Sequence, residues 1–131
     1  MLTKKLTDSD LGLGTSNQTH IGLWEEMLEG WTSEDKVYDC FLFIENLETC
    51  IPCKGVINAI LSDSGEIRSP KIKTGKGIEN KINLLKLIRK FATEYRRYLS
   101  VRQLPDGKLM LIISRSKSSV MLRVPAHWHS F

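Results

Sequence analysis

Hydrophobic and polar positions along this chain fall into short alternating or continuous apolar stretches, with one longer stretch of helical spacing. Val37 to Ile44, VYDCFLFI, is apolar on both faces except at Asp39 and predicts a buried strand. Gly55 to Leu61 and Glu66 to Lys73 predict two strands joined by the turn Ser62-Asp63-Ser64-Gly65. Leu99 to Leu104 and Lys108 to Ser114 predict a second pair around Pro105-Asp106-Gly107, and Val120 to Val124 a last strand. The N-terminal stretch opens as a strand before the turn residues Asp8, Ser9 and Asp10, and Glu45 to Pro52 reads as a connection. From Ile82 to Tyr98 the period is helical: Leu84, Leu85, Leu87, Ile88, Phe91, Ala92, Tyr95 and Tyr98 share one arc. Lys86, Arg89, Lys90, Arg96 and Arg97 fill the rest, with Glu94 the only acid. Leu23 to Trp31 predicts a short amphipathic helix, with Trp24, Met27, Leu28 and Trp31 opposite Glu25, Glu26 and Glu29. Periodicity alone therefore gives one mixed α and β domain over residues 1–131, long enough to bury a core.

Two stretches lack such periodicity and carry chemistry instead. In Gly12 to Gly22, GLGTSNQTHIG, the side chains of Thr15, Ser16, Asn17, Gln18, Thr19 and His20 all donate or accept hydrogen bonds. Amides of the Asn17 and Gln18 type pair bidentately with adenine edges. Arg68 to Lys81, RSPKIKTGKGIENK, brings Lys71, Lys73, Lys76, Lys81 and Arg68 against the single acid Glu79, with Gly75 and Gly77 in its middle. Glycines permit close backbone approach, and lysines with small polar neighbours such as Thr74 and Asn80 suit phosphate and base-edge contacts. This stretch predicts an arm, growing from the end of a hairpin strand, that closes on DNA.

Charge strengthens that expectation. Residues 1–67 carry a net −8, residues 68–97 a net +8 and residues 98–131 a net +4, within a total of only +4. A locally basic surface attracts a polyanion whatever the overall charge. The alternative is an ordinary solvated helix face. Apolar runs of a few residues exclude a membrane helix, and Lys4 and Lys5 have no apolar core behind them to make a secretory signal. The chain is accordingly read as cytoplasmic.

The pieces in this order resemble a known family. Lys4-Lys5-Leu6-Thr7-Asp8-Ser9-Asp10, followed by Gly14 to Gly22, is similar to the first strand and N-terminal recognition arm of the B-three-like DNA-binding pseudobarrel. Lys76-Gly77-Ile78-Glu79-Asn80-Lys81 resembles its C-terminal recognition arm, where basic residues bracket an acid before a helix. That pseudobarrel occurs in plant B-three transcription factors. The likeness is greater to the effector domains of EcoRII-, BfiI- and NgoAVII-type restriction endonucleases. Asn17 stands where that family often has His, and the spacing to Gly22 is longer. The resemblance implies a mainly β fold, a seven-stranded open barrel with flanking α-helices. It implies sequence-specific binding of double-stranded DNA by two arms in the major groove, without a cofactor. Lys73, Lys76, Glu79 and Lys81 would then be arm contacts, supported by Lys4 and Lys5, and a nuclease domain could be attached elsewhere.

Catalysis by the chain itself is not expected. A restriction-type nuclease centre needs Asp…(Asp/Glu)-x-Lys, and after Asp63 the triplet Glu66-Ile67-Arg68 offers an arginine that holds its proton too firmly to act as a base. Glu79-Asn80-Lys81 is read as part of the arm rather than as a nuclease triplet. Gly75-Lys76-Gly77 lacks the rest of a phosphate-binding loop. Two rival functions remain at this stage. One is an interaction module whose basic helix face docks an acidic protein. The other is a small redox or metal protein using Cys50-Ile-Pro-Cys53, although a zinc site wants about four ligands and neither Cys40 nor His20, His127 and His129 lies nearby in sequence.

Overall fold

A computed structural model describes residues 2–13, 20–28, 30–45, 47, 49–73 and 82–116. Its strands are β1 (Leu2–Lys5), β2 (His20–Gly22), β3 (Lys36–Ile44), β4 (Thr49–Leu61), β5 (Ile67–Lys73), β6 (Tyr98–Gln103) and β7 (Leu109–Ser114). One helix, α1 (Leu84–Phe91), lies between β5 and β6 in sequence. The strands form a single mixed sheet in the order β1-β6-β7-β3-β4-β5-β2, in which only β3 and β7 run parallel. The fold is mainly β, as expected, with α1 and a 3₁₀ turn at Glu25–Met27 as the helical elements among the described residues.

Alternation places Tyr38, Cys40, Leu42 and Ile44 of β3 on the inner face, continuous with Ile57 of β4, Ile72 of β5 and Leu109, Leu111 and Ile113 of β7. Helix α1 adds Leu84, Leu85 and Ile88 to the same core. Each such aliphatic side chain taken out of water contributes about 1.5–3 kcal/mol. The sheet curls into a half-barrel. Where β4 passes from Asn58 to Ile60, β5 runs from Lys71 to Arg68, so β5 holds one residue more. Ser69 takes up that residue with φ 49°, and such a bulge increases the local twist. The curl brings the two edge strands of the sheet together: Lys4 Nζ on β1 donates to the Gly22 carbonyl on β2.

Three sequence expectations need correction. The helix expected over Ile82 to Tyr98 occupies only Leu84–Phe91. Asn83 caps its start, accepting from Leu85 N at 2.9 Å and Lys86 N at 3.4 Å. Ala92 ends it in an extended conformation, and Tyr98 already pairs with Lys5 and Ser114 as a strand residue. Tyr95, assigned to the apolar arc, is 78% exposed. The helix expected over Leu23 to Trp31 is only the 3₁₀ turn, with Gly30 at φ 68° beyond it and Trp24 exposed. The connection expected over Glu45 to Pro52 is partly strand, because β4 begins at Thr49. The seven strands also include β2, which periodicity did not predict, whereas Val120 to Val124 lies outside the described residues. No helix among the described residues is long and apolar enough to cross a membrane.

Pro52 sits inside β4 without breaking a ladder. β5 pairs only with Val56 to Leu61, so no named strand among the described residues lies on that side of the earlier part of β4. Lys54 N–H points to that edge and donates to Ile82 O at 2.8 Å, and Pro52, of the same parity, directs its ring nitrogen there too. The chain entering α1 is thereby laid along β4. Gly55 is required at the contact: a Cβ there would lie 2.7 Å from Leu84 Cδ2 and 3.2 Å from Cys40 Sγ. Gly55→Ala is expected to destabilise the fold by about 1–3 kcal/mol through overpacking, read as a lower urea midpoint. An unchanged midpoint would mean that α1 is not seated against β4.

Candidate nucleic-acid interface

The register of β2 with β5 positions the two stretches singled out in the sequence. His20 pairs with Lys73, Ile21 with Ile72, and Gly22 with Lys71, antiparallel. The chain thus enters β2 at His20 directly beside the point where β5 ends at Lys73. His20, which follows residues 14–19 in sequence, and Lys73, which precedes residues 74–81, are therefore neighbours on one ladder, with backbones about 5 Å apart. Leu23 N–H donates to Pro70 O at 2.7 Å and carries the pairing one residue further. Ile21 and Ile72 point inward and are fully buried, which fixes His20, Lys71 and Lys73 on the outer face by alternation.

Asp35, just before β3, and Asn58 of β4 join them there. Asp35 binds Lys73 Nζ at 3.1 Å and accepts from Asn58 Nδ2 at 2.6 Å. Asn58 stands opposite Lys71, and its Oδ1 is buried without a hydrogen-bond partner among the described residues. Lys73 is thus half-neutralised at the root of the second stretch, while Lys71 has no ion-pair partner among the described residues. The His20 imidazole titrates below its ordinary 6.5, first because burial penalises its charged form and then because Lys71 repels the proton, with Asp10 pulling the other way. At neutral pH His20 is an uncharged hydrogen-bonding group. A histidine proton titration followed by NMR should place its midpoint below 6.5, and Lys71→Gln should raise it. A midpoint at or above 6.5 in the unchanged protein would contradict this environment.

The other expected site residues divide sharply. Lys4 is occupied: besides the Gly22 carbonyl it binds Asp10 Oδ2 at 3.1 Å, with its side chain 15% exposed. It holds the edge strands together and has little surface to offer a ligand. Lys5 is exposed on β1 opposite Tyr98. Thr15, Ser16, Asn17, Gln18, Thr74, Lys76, Glu79, Asn80 and Lys81 lie outside the described residues, as do His127 and His129. On the basic face, Lys86 and Lys90 are exposed. Arg89 Nε instead donates to Asp10 O at 3.0 Å, and Arg97 pairs with Asp8 at 2.7 Å. These arginines fasten residues 8–10, the lead-in to the first stretch, to the helix side of the molecule. The acidic and basic halves of the sequence are therefore interleaved in space, since Asp8 holds Arg97, Asp35 holds Lys73 and Glu45 holds Arg115, whereas Asp10 and Asp39 pair with Lys4 and Lys54 within the acidic half.

The Cys50-x-x-Cys53 pair does not form a site. Both residues lie in β4, and a separation of three along a strand sends their side chains to opposite faces. Cys53 joins the inner core, whereas Cys50 packs with Phe43 and Met110 on the outer one. Among the described residues no cluster of three His, Cys, Asp or Glu could hold a metal ion. Glu79-Asn80-Lys81 does have acid-x-Lys spacing downstream of Asp63. Asp63 sits in the β4–β5 turn, whereas the triplet lies outside the described residues. Asp35 and Asn58 were not picked out from the sequence, because only strand pairing brings them to the arm roots. No known protein family, characterised protein or solved structure matches the chain.

Proposed function

We propose that this protein is a sequence-specific double-stranded DNA-binding domain of the B-three-like pseudobarrel kind, acting as a target-recognition or effector domain of the restriction-endonuclease type. The observation that carries the reading is the His20–Lys73 register, which starts the amide-rich stretch and the lysine-rich stretch side by side. Two projections from one ladder can enter one groove, whereas projections from opposite ends of a sheet cannot. Lys71, Lys86 and Lys90 serve as phosphate contacts that set register. Asn17, Gln18, neutral His20, Lys76, Glu79 and Lys81 read base edges. A carboxylate at position 79 accepts from the cytosine amino group and rejects bases that present only acceptors. A curled sheet closed at its edges by Lys4 gives the two arms a stiff base.

The test is fluorescence anisotropy with a labelled duplex over a range of salt concentrations. Log Kobs should fall linearly with log salt, at about −0.9 per neutralised phosphate. Lys71→Ala should flatten that slope by about one contact while weakening all duplexes alike. Weak binding that ignores salt would contradict the proposal.

A further inference from the structure

We propose that Asp35 is an electrostatic brake on duplex binding: it holds Lys73 in the free protein, and a DNA phosphate must take that lysine from it. The inference deepens the DNA-binding reading, on which it rests, by naming a residue that sets its strength. Lys71 and Lys73 offer an internal comparison. Both lie on the outer face of β5, two residues and therefore about 6.6 Å apart. Lys71 stands opposite Asn58 on β4 and has no ion-pair partner among the described residues. Lys73 Nζ instead lies 3.1 Å from Asp35 Oδ2 and 3.2 Å from Oδ1, so one ammonium engages both carboxylate oxygens.

The carboxylate is anchored independently of that lysine. Asp35 immediately precedes β3, and continuing the Lys36–Ile57 register by one residue sets it opposite Asn58. Asn58 Nδ2 donates to Asp35 Oδ1 at 2.6 Å. This orientation of the amide leaves Asn58 Oδ1 buried without a hydrogen-bond partner among the described residues. The opposite orientation would set Oδ1 against the carboxylate, two acceptors facing each other. Asp35 therefore keeps its place and its charge when Lys73 leaves it.

The ion pair itself is open to exchange. The Lys73 and Asp35 side chains are 30% and 42% exposed, and a pair so accessible to water is weakly held. A phosphate arriving at the β2–β5 ladder can compete for the ammonium. Such an exchange is nearly balanced in charge: one phosphate is neutralised while one carboxylate is released to face the polyanion. Lys73 accordingly adds little to the salt-dependent part of binding, whereas Lys71 adds a full contact. Because the brake acts on phosphates, it weakens every duplex by the same factor. A duplex without matching base contacts is then the first to be lost.

The test is fluorescence anisotropy of the full chain with a labelled duplex of mixed sequence, titrated at several salt concentrations. Asp35→Asn keeps an acceptor for Asn58 and removes the charge. It should tighten binding about 3- to 10-fold at about 0.1 M salt and steepen the slope of log Kobs against log salt by about 0.9. Glu66→Gln makes the same charge change at the far end of β5, where Glu66 pairs with Arg68 at 3.3 Å, and should leave the slope nearly unchanged. Asp35→Asn combined with Lys73→Gln removes both partners and should return slope and affinity to those of the unchanged protein. An unaltered slope in Asp35→Asn, an equal change in Glu66→Gln, or a gain that persists in the double variant would overturn the brake and leave DNA binding standing. No salt-dependent binding in any of these proteins would overturn the DNA-binding reading and the brake with it.

Discussion

Asp10→Ala should cost the fold about 3–5 kcal/mol, the largest single-residue effect expected in this protein. Asp10 is 3% exposed, and its carboxylate receives Lys4 Nζ at 3.1 Å and the Thr7 backbone N–H at 2.9 Å. Its own N–H donates to Thr7 Oγ1, and its carbonyl accepts from Arg89. Alanine leaves a largely buried ammonium without its counter-charge and undoes the turn between β1 and residue 14. Asp10→Asn keeps an acceptor in place and should cost less. Replacing the pair together, Lys4→Met with Asp10→Leu, should recover part of the loss, because no charge is then stranded. Urea midpoints of the four proteins measure the coupling. Equal losses for the single and double changes would mean that the Lys4–Asp10 bridge does not act as a coupled pair.

The second large effect concerns the ligand. Lys76→Ala and Lys81→Ala should each weaken binding of the preferred duplex by about 1–3 kcal/mol, roughly 5- to 150-fold in Kd. The urea midpoint should not move, since the loss is one of contacts to the duplex and not of the unliganded fold. The two changes should also loosen base preference, which separates them from Lys71→Ala, whose loss is uniform across sequences. Glu79→Gln should shift preference rather than affinity, because it exchanges a pure acceptor for a group that also donates. Competition titrations with duplexes differing at single positions distinguish these patterns. A uniform loss for Lys76→Ala would place that lysine on the phosphates.

The parts of the fold that were legible in the sequence are those where local pattern and tertiary structure agree. β3 and β7 carry continuous apolar runs, and Ser64-Gly65 and Asp106-Gly107 mark the β4–β5 and β6–β7 turns. The C-terminal part of the expected helix failed because the chain leaves the helix at Ala92, turns through Thr93 and Arg96, and makes Tyr98 a strand residue with ladder partners on both sides. β2 was invisible because three residues cannot show a period, and only pairing with β5 makes them a strand. Glu45 to Pro52 was expected as a connection, yet β4 begins at Thr49, and Pro52 lies where β5 does not pair with it. The candidate site was legible as two stretches of suitable chemistry. What no linear pattern could reveal was that Lys4 and Arg89 are spent on internal ties, or that Asp35 neutralises Lys73. Charge runs along a sequence do not map onto charge patches when antiparallel strands fold acids onto bases.

The central claim is that the stretches starting beside His20 and Lys73 read one duplex together, and selection of bound duplexes from a random pool tests it most directly. A single enriched sequence is predicted, with some positions relaxed by Asn17→Ala or Gln18→Ala and different, adjoining positions relaxed by Lys76→Ala or Glu79→Gln. A pool that stays random after repeated selection, or an enriched sequence indifferent to all four changes, would contradict it.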